Sequence, residues 1–341
     1  MPKRFCWKPK LNSLKKIKIA VLYGGRSSER RISIKSGLAV YRGLRALGLP
    51  VHKFDPAQTP LRALKKKGIG LVFIALHGGY GEDGGVQREL ERLGICYTGS
   101  GPVASRAAFD KKLAKAILSQ KGIPTPNYVL LDRRRGTKAL RSLQGPLFLK
   151  PRANGSSIGV MAVADAEVEK EAIEKQIRQY GDLIAEEKIS GREFTVGILG
   201  GRPLPVIELR PKNAFYDYQA KYTSGMTEYL VPAPIPGRWA RRMQKIAVAT
   251  FQALGLRDFS RVDIMTDLKG NPFVLEANSI PGFTEHSLLP KAAREAGIGF
   301  EMLCAAILEL ALKRTTKKSG RYGQKKKKKR QGRRELVPQL V

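Results

Sequence analysis

Apolar residues along this chain fall into short runs separated by stretches of helical spacing. Residues 18–22 form an apolar run that ends at Gly24-Gly25, which reads as a buried strand entering a turn. Helical spacing over 32–47, a strand near 51–54, a short helix around 61–64 and a strand at 71–75 follow. This alternation predicts a parallel sheet covered by helices. A helix over 86–93 and the turn Thr98-Gly99-Ser100-Gly101 close the unit.

A second unit opens with a helix at 111–120, which Pro124-x-Pro126 breaks. Strands at 128–131 and 147–150, the loop Ala153-Asn154-Gly155-Ser156-Ser157-Ile158-Gly159, a helix over 168–179, and strands at 183–187 and 193–199 make up its body. The third unit holds a strand at 204–209, a polar aromatic loop at 215–222, a helix over 238–254, strands at 259–266 and 272–277, and helices at 289–296 and 300–312. The expected division is a basic N-terminal arm without pattern (1–15), an α/β domain (16–110), two further subdomains (111–200 and 201–314) and a tail (315–341). The tail is rich in Lys and nearly without apolar residues, so it is expected to be disordered.

Length and charge sharpen this picture. A chain of 341 residues buries a sizeable core in two or three packed units. Lys and Arg total 63 against 29 Asp and Glu, a net charge of +34 that favours phosphate-bearing partners. Thirteen of those cations, against Glu335 alone, lie from Lys313 onward, so +12 of the excess belongs to this end and the remaining +22 is spread over the globular part. Cys6, Cys96 and Cys304 are odd in number and lack metal-ligand spacing, which argues against a disulfide framework or a zinc site. No apolar run approaches the roughly 20 residues of a membrane span, and the run at 17–23 is too short for a secretory signal. A cytoplasmic location is expected.

Candidate chemistry concentrates in Arg261-Val262-Asp263 and Glu276-Ala277-Asn278. Residues two apart in a strand share a face, so Arg261 points with Asp263 and Glu276 with Asn278. Asp267-Leu268-Lys269-Gly270-Asn271 has hairpin chemistry, and a turn near Lys269 and Gly270 brings Asp263 almost opposite Glu276. Two carboxylates and an amide oxygen on one face form an all-oxygen set that suits Mg²⁺. A surface strand pair with ordinary salt bridges is the plain alternative. The apolar neighbours Phe259, Val262, Ile264, Phe273, Val274 and Leu275 weigh against it, because unpaired carboxylates are costly in buried strands. Lys150 closes a strand before the Gly- and Ser-rich loop, an arrangement that suits a phosphate cradle although the P-loop pattern is absent.

Arg261-Val262-Asp263-Ile264-Met265 together with Glu276-Ala277-Asn278-Ser279-Ile280-Pro281-Gly282-Phe283-Thr284 resembles the metal and phosphate signature of D-alanine:D-alanine ligases. Leu22-Tyr23-Gly24-Gly25-Arg26-Ser27-Ser28-Glu29-Arg30 and the stretch from Ala75-Leu76-His77-Gly78 to Gly84 extend the likeness, which runs from about Ile17 to Leu312. The resemblance implies a Rossmann-like N-terminal domain followed by a two-subdomain ATP-grasp fold. It implies ligation of two D-alanines through an acyl phosphate for peptidoglycan precursors, with ATP and two Mg²⁺ (or Mn²⁺), in a homodimer. Asp263, Glu276 and Asn278 are then metal ligands, and Arg261 and the Gly282 N–H stabilise the oxyanion. Lys111, Lys150 and Ser157 hold ATP phosphates, Lys221 approaches the γ-phosphate, and Glu186 and Glu193 contact the nucleoside. Glu187 and Lys188 stand where relatives often carry a Lys and an aromatic, and Asn154 where some carry an acid. Glu29 holds the first D-alanine's ammonium and His77 lies beside its carboxylate, whereas Ser287 and Leu288, in a loop, meet the second D-alanine. Tyr222 pairs with Ser156 and Glu29, joining a lid to the floor.

From the residues alone, Glu29 reads equally as a helix cap, His77 as a locally satisfied histidine and 215–222 as a packed aromatic patch. Two competing functions stay open. One keeps the chemistry and changes the acceptor to D-serine, D-lactate or another amino acid. The other is nonspecific polyanion binding by the tail, to nucleic acid or an anionic membrane surface, with no specific nucleic-acid partner.

Overall fold

In the computed structural model, residue 7 and residues 9–134, 136–155, 157–212 and 225–314 are described. Among them, β1 (Ile19–Leu22), β2 (Val51–Phe54), β3 (Leu71–Ile74) and β4 (Cys96–Tyr97) form a parallel sheet in the order β2-β1-β3-β4. Every residue of β1 and β3 is buried, as a sheet covered on both faces requires. Pairing of Leu22 with Ile74 ends the two strands together, so the loops carrying Glu29 and His77 emerge side by side at the carboxyl edge. Ligands bind at that edge in sheets of this kind.

The second sheet is antiparallel: β5 (Tyr128–Leu131), β6 (Leu147–Pro151), β7 (Met161–Val163) and β8 (Leu183–Glu187) run in the order β5-β8-β6-β7. Ile173 and Ile177 of the helix Lys170–Tyr180 complete its core. The third sheet joins β9 (Gly191–Leu199), β10 (Arg202–Pro211), β11 (Thr227–Leu230), β12 (Phe259–Asp267) and β13 (Pro272–Asn278) in the order β11-β10-β9-β12-β13. Met243, Ala247 and Phe251 of the helix Gly237–Ala253 pack on one of its faces. Its other core is shared with the first sheet. Phe283 lies 5.3 Å from Phe73 of β3, 5.7 Å from Phe259 of β12 and 6.0 Å from Phe300, ring to ring.

The part of the N-terminal arm that is described does not trail away. Trp7 Nε1 donates to Glu309 at 3.1 Å, and a short helix, Leu11–Leu14, buries Leu14 completely. A few isolated apolar residues give no periodicity to read, which is why the arm looks patternless. The polybasic tail, 315–341, lies outside the described residues.

Candidate active site

Two cavities meet at the β12–β13 pair. One, of about 780 Å³, lies between the second and third sheets and is lined by Lys111, Lys150, Ser157, Glu186, Glu193 and Asp263. The other, of about 960 Å³, joins Glu29 and His77 of the first unit to Arg261, Asn278, Gly282, Ser287 and Leu288. Glu276 lines both. Ser156, Lys221 and Tyr222 lie outside the described residues.

The hairpin builds the junction. Asp267 accepts from the backbone N–H of Lys269 (2.9 Å) and Asn271 (2.8 Å) and from the Asn271 amide (2.8 Å), which fixes the turn. Gly270 has φ +80°, a conformation open to glycine at little cost. From this turn Ile264 pairs with Val274, and a β-bulge between Ile264 and Asp263 then sets Asp263 opposite Glu276 and Arg261 opposite Asn278. Asp263 is buried, and four donors hold its plane. Oδ1 accepts from Thr195 Oγ1 (2.6 Å) and Arg261 Nε (2.8 Å), and Oδ2 from Arg261 Nη2 (2.7 Å) and Asn278 Nδ2 (3.0 Å). Among the described residues no cluster of three or more His, Cys, Asp or Glu side chains has metal-holding geometry; the third oxygen here is an amide. Two carboxylates and that amide on neighbouring strands fit a hard divalent cation once Asn278 turns its oxygen toward Asp263.

Asp110 orders the lysine side of the first cavity. Its carboxylate caps the helix Lys111–Gln120 through the N–H groups of Lys112 (3.1 Å) and Leu113 (3.2 Å), and Arg152 grips it at 2.7 Å. Lys111 Nζ is thereby aimed at the Asn154 carbonyl (2.6 Å), with Glu276 at 4.0 Å. Asn154 acts through its backbone here, so the change from an acid leaves this contact intact. Lys150 Nζ lies 2.9 Å from Glu186 Oε2, and Lys115 Nζ 3.3 Å from Oε1. Burial pulls the Lys115 ammonium down to about 8 against the attraction of Glu186. Burial pushes the Glu186 carboxyl up, but the two ammonium groups outweigh it and hold the group below its ordinary range. Glu186, expected by resemblance to contact the nucleoside, lines this cavity and is also a buried ion-pair partner of two lysines. Glu187 accepts from Asn127 (2.8 Å) and the Gln144 N–H (2.9 Å), which anchors the linker.

In the second cavity, Glu29 occupies the N-cap position of the helix Arg30–Ala46, yet its side chain makes no cap hydrogen bond. The cap reading of Glu29 therefore falls, because the buried carboxylate turns toward Gly78 and Gly155. A Cβ at Gly78, where φ is +68°, would stand 2.6 Å from Glu29 Oε2, and one at Gly155 3.1 Å from it. His77 Nε2 lies 3.0 Å from Ser36 Oγ, which accepts from the Phe283 N–H at 3.2 Å, and Nδ1 lies 3.4 Å from Glu82. This chain ties the first unit to the loop carrying Gly282. The loop expected to carry both Ser287 and Leu288 ends at Ser287, the N-cap, and Leu288 is already the first residue of the helix Leu288–Glu295. The Ser287 hydroxyl is already engaged by Thr284, accepting from its N–H at 3.0 Å and lying 2.9 Å from its hydroxyl.

Sequence reasoning missed Lys115, Thr195 and the group Arg192, Glu208 and Arg210. Arg192 grips Glu208 through two bonds of 2.7 Å at the cleft wall, with Arg210 Nε at 3.1 Å. The four-residue spacing from Lys111 was the available signal for Lys115; the strand residues gave none until β9 was paired with β10 and β12.

A parallel-sheet domain set before two antiparallel sheets that close on a cleft of lysines and carboxylates defines an ATP-grasp enzyme. The family model described as D-ala D-ala ligase C-terminus matches residues 117–309. The D-alanine–D-alanine ligase of Burkholderia ambifaria (strain MC40-6) is 43% identical over 301 residues, covering 86% of this chain and 96% of that one. The Bacillus anthracis D-alanine–D-alanine ligase complexed with ATP superposes with a TM-score of 0.78 at 32% identity, covering 89% and 99%. The VanG D-Ala:D-Ser ligase of Enterococcus faecalis gives 0.77 at 29% identity, covering 86% and 99%. The chain belongs to the D-alanine–D-alanine ligase family.

Proposed function

We propose that this protein joins two D-alanine molecules with consumption of ATP, supplying the dipeptide for peptidoglycan precursors. The observation that carries the reading is Glu276: it faces both cavities and stands opposite Asp263, so a phosphoryl donor in one cavity and an amino acid in the other would meet at its carboxylate. ATP occupies the cleft between the second and third sheets, with Lys111 and Lys150 on its phosphates. Asp263, Glu276 and Asn278 would hold two Mg²⁺, or Mn²⁺, which when bound neutralise phosphate charge and align in-line transfer.

The first D-alanine sits with its ammonium on Glu29 and its carboxylate beside His77. That carboxylate takes the γ-phosphoryl group and becomes an acyl phosphate, and the amine of the second D-alanine then displaces phosphate. Arg261 and the Gly282 N–H stabilise the oxyanion of that step, a contribution of a few kcal/mol for a well-placed donor, roughly 3. The N-terminus of the helix Leu288–Glu295 offers free N–H groups to the second carboxylate. Ser156, Lys221 and Tyr222 complete the site as lid and floor and exclude water. No helix among the described residues is long and apolar enough to cross a membrane, and a cytoplasmic location, where ATP is available, is part of this proposal.

The likeness to a D-Ala:D-Ser ligase favours one second reading, D-serine as acceptor. Measuring ADP release and product mass separates them. D-alanine alone is expected to drive full turnover and give the dipeptide; turnover only on adding D-serine would overturn the assignment.

A further inference from the structure

The helix Lys111–Gln120 carries two lysines four residues apart, which places them on the same side of it. Lys111 reaches the nucleotide cleft. Lys115, one turn deeper, is 1% exposed and does not line the cleft. Its Nζ donates to Thr125 Oγ1 at 2.7 Å, and the Thr125 hydroxyl donates to the Val274 carbonyl of β13 at 2.8 Å. The Val274 N–H donates back to the Pro124 carbonyl at 2.8 Å, so Lys115 is pinned to the strand that carries Glu276.

Glu186, 2% exposed, therefore stands between two ammonium groups, although one would neutralise it. The two are not equivalent. Lys150, the penultimate residue of β6, opens to the cleft, whereas Lys115 is enclosed, with its ammonium 5.3 Å from the Tyr128 ring centre. We propose that Lys115 is the resident counter-ion of Glu186, which lets the Lys150 ammonium leave Glu186 for a nucleotide phosphate without stranding a buried negative charge. Lys115 is thus a positioning residue that acts through Glu186 and Lys150. The proposal rests on the reading of this cleft as the ATP site. Removing the last cation from a buried carboxylate is strongly disfavoured. Without Lys115, then, Lys150 stays on Glu186 and a phosphate must compete with that pairing. Adenosine has no phosphate and needs no such release.

Calorimetric binding of a non-hydrolysable ATP analogue with Mg²⁺, and of adenosine, to the full-length chain tests this. Lys115→Met is expected to weaken the analogue about 10-fold while moving adenosine less than about 2-fold, the selectivity that a phosphate-linked charge effect gives. Adding Glu186→Gln should recover most of that loss, because Lys150 is no longer held. Equal losses for both ligands, or no recovery in the double variant, would overturn the proposal. Should Lys115→Met fail to fold, Glu186→Gln is compared with Lys115→Met/Glu186→Gln. Affinities for the analogue within about 2-fold support the proposal, and a further loss of about 10-fold refutes it. If the wild-type chain itself does not bind the analogue, the reading of the cleft falls and the proposal with it. Binding by the wild type that Lys115→Met leaves unchanged overturns this proposal alone.

Discussion

Asp110 shows how a single side chain orders the lysine side of the first cavity. Burial pushes its carboxyl up, but Arg152 and the helix N–H groups outweigh that and hold it below the ordinary 3.8. A carboxyl lowered in the folded state adds stability that is present above 3.8 and lost as pH falls through the folded value. Acid titration of unfolding should therefore be less steep below about pH 4 in Asp110→Asn, which should also be less stable at pH 7 by roughly 1.5–3 kcal/mol from the weakened Arg152 bonds. Identical acid profiles would show that the pair contributes nothing. Sequence revealed the residues whose chemistry is declared by neighbours: Asp263 and Glu276 stood out because the hairpin turn between them brings them nearly opposite, whereas the bulge that completes the pairing left no sign in the residues. Lys115 did not, since a lysine at a helical position reads as solvated until the cleft side of the helix is known.

The β12–β13 hairpin is the element on which the site depends. A Cβ at Gly270 would stand 2.2 Å from the Trp239 ring, and φ is +80°. Gly270→Ala should thus cost roughly 1–3 kcal/mol in chemical denaturation and lower kcat, because a distorted turn disturbs the ladder on which the bulge and the Asp263–Glu276 pair are built. An unchanged midpoint and rate would mean that the pairing does not depend on the turn. Elements with full runs or helical spacing were legible close to their ends, as with β5 and β8. β4 and β7 span two and three residues, too few for their periodicity to stand out, β11 (TEYL) lacks the unbroken apolar run that marked β5, and the helix Pro102–Phe109 is so rich in Ala that its pattern is faint.

At the scale of the molecule, Phe283 binds the first unit to the third through Phe73, Phe259 and Phe300. Such a long-range cluster leaves no local trace in sequence. Phe283→Ala should cost about 3–5 kcal/mol and lower kcat/KM as well, because Gly282 and Ser36 are positioned from the same junction. Leu268→Ala, at an 85% exposed turn position, should shift stability by less than about 0.5 kcal/mol. Equal effects from the two would show that the two units are not held by this core. The fold class was legible because strand and helix alternate along the first unit, while the closing of two antiparallel sheets over one cleft became expected only through resemblance.

The most direct test is dipeptide formation from D-alanine and ATP by purified Glu276→Gln beside the wild type, with melting temperature as the control for folding. A shared carboxylate between the two cavities predicts a fall in kcat on the order of 1000-fold with the melting temperature nearly unchanged. Coupling at the wild-type rate by this variant would contradict the account.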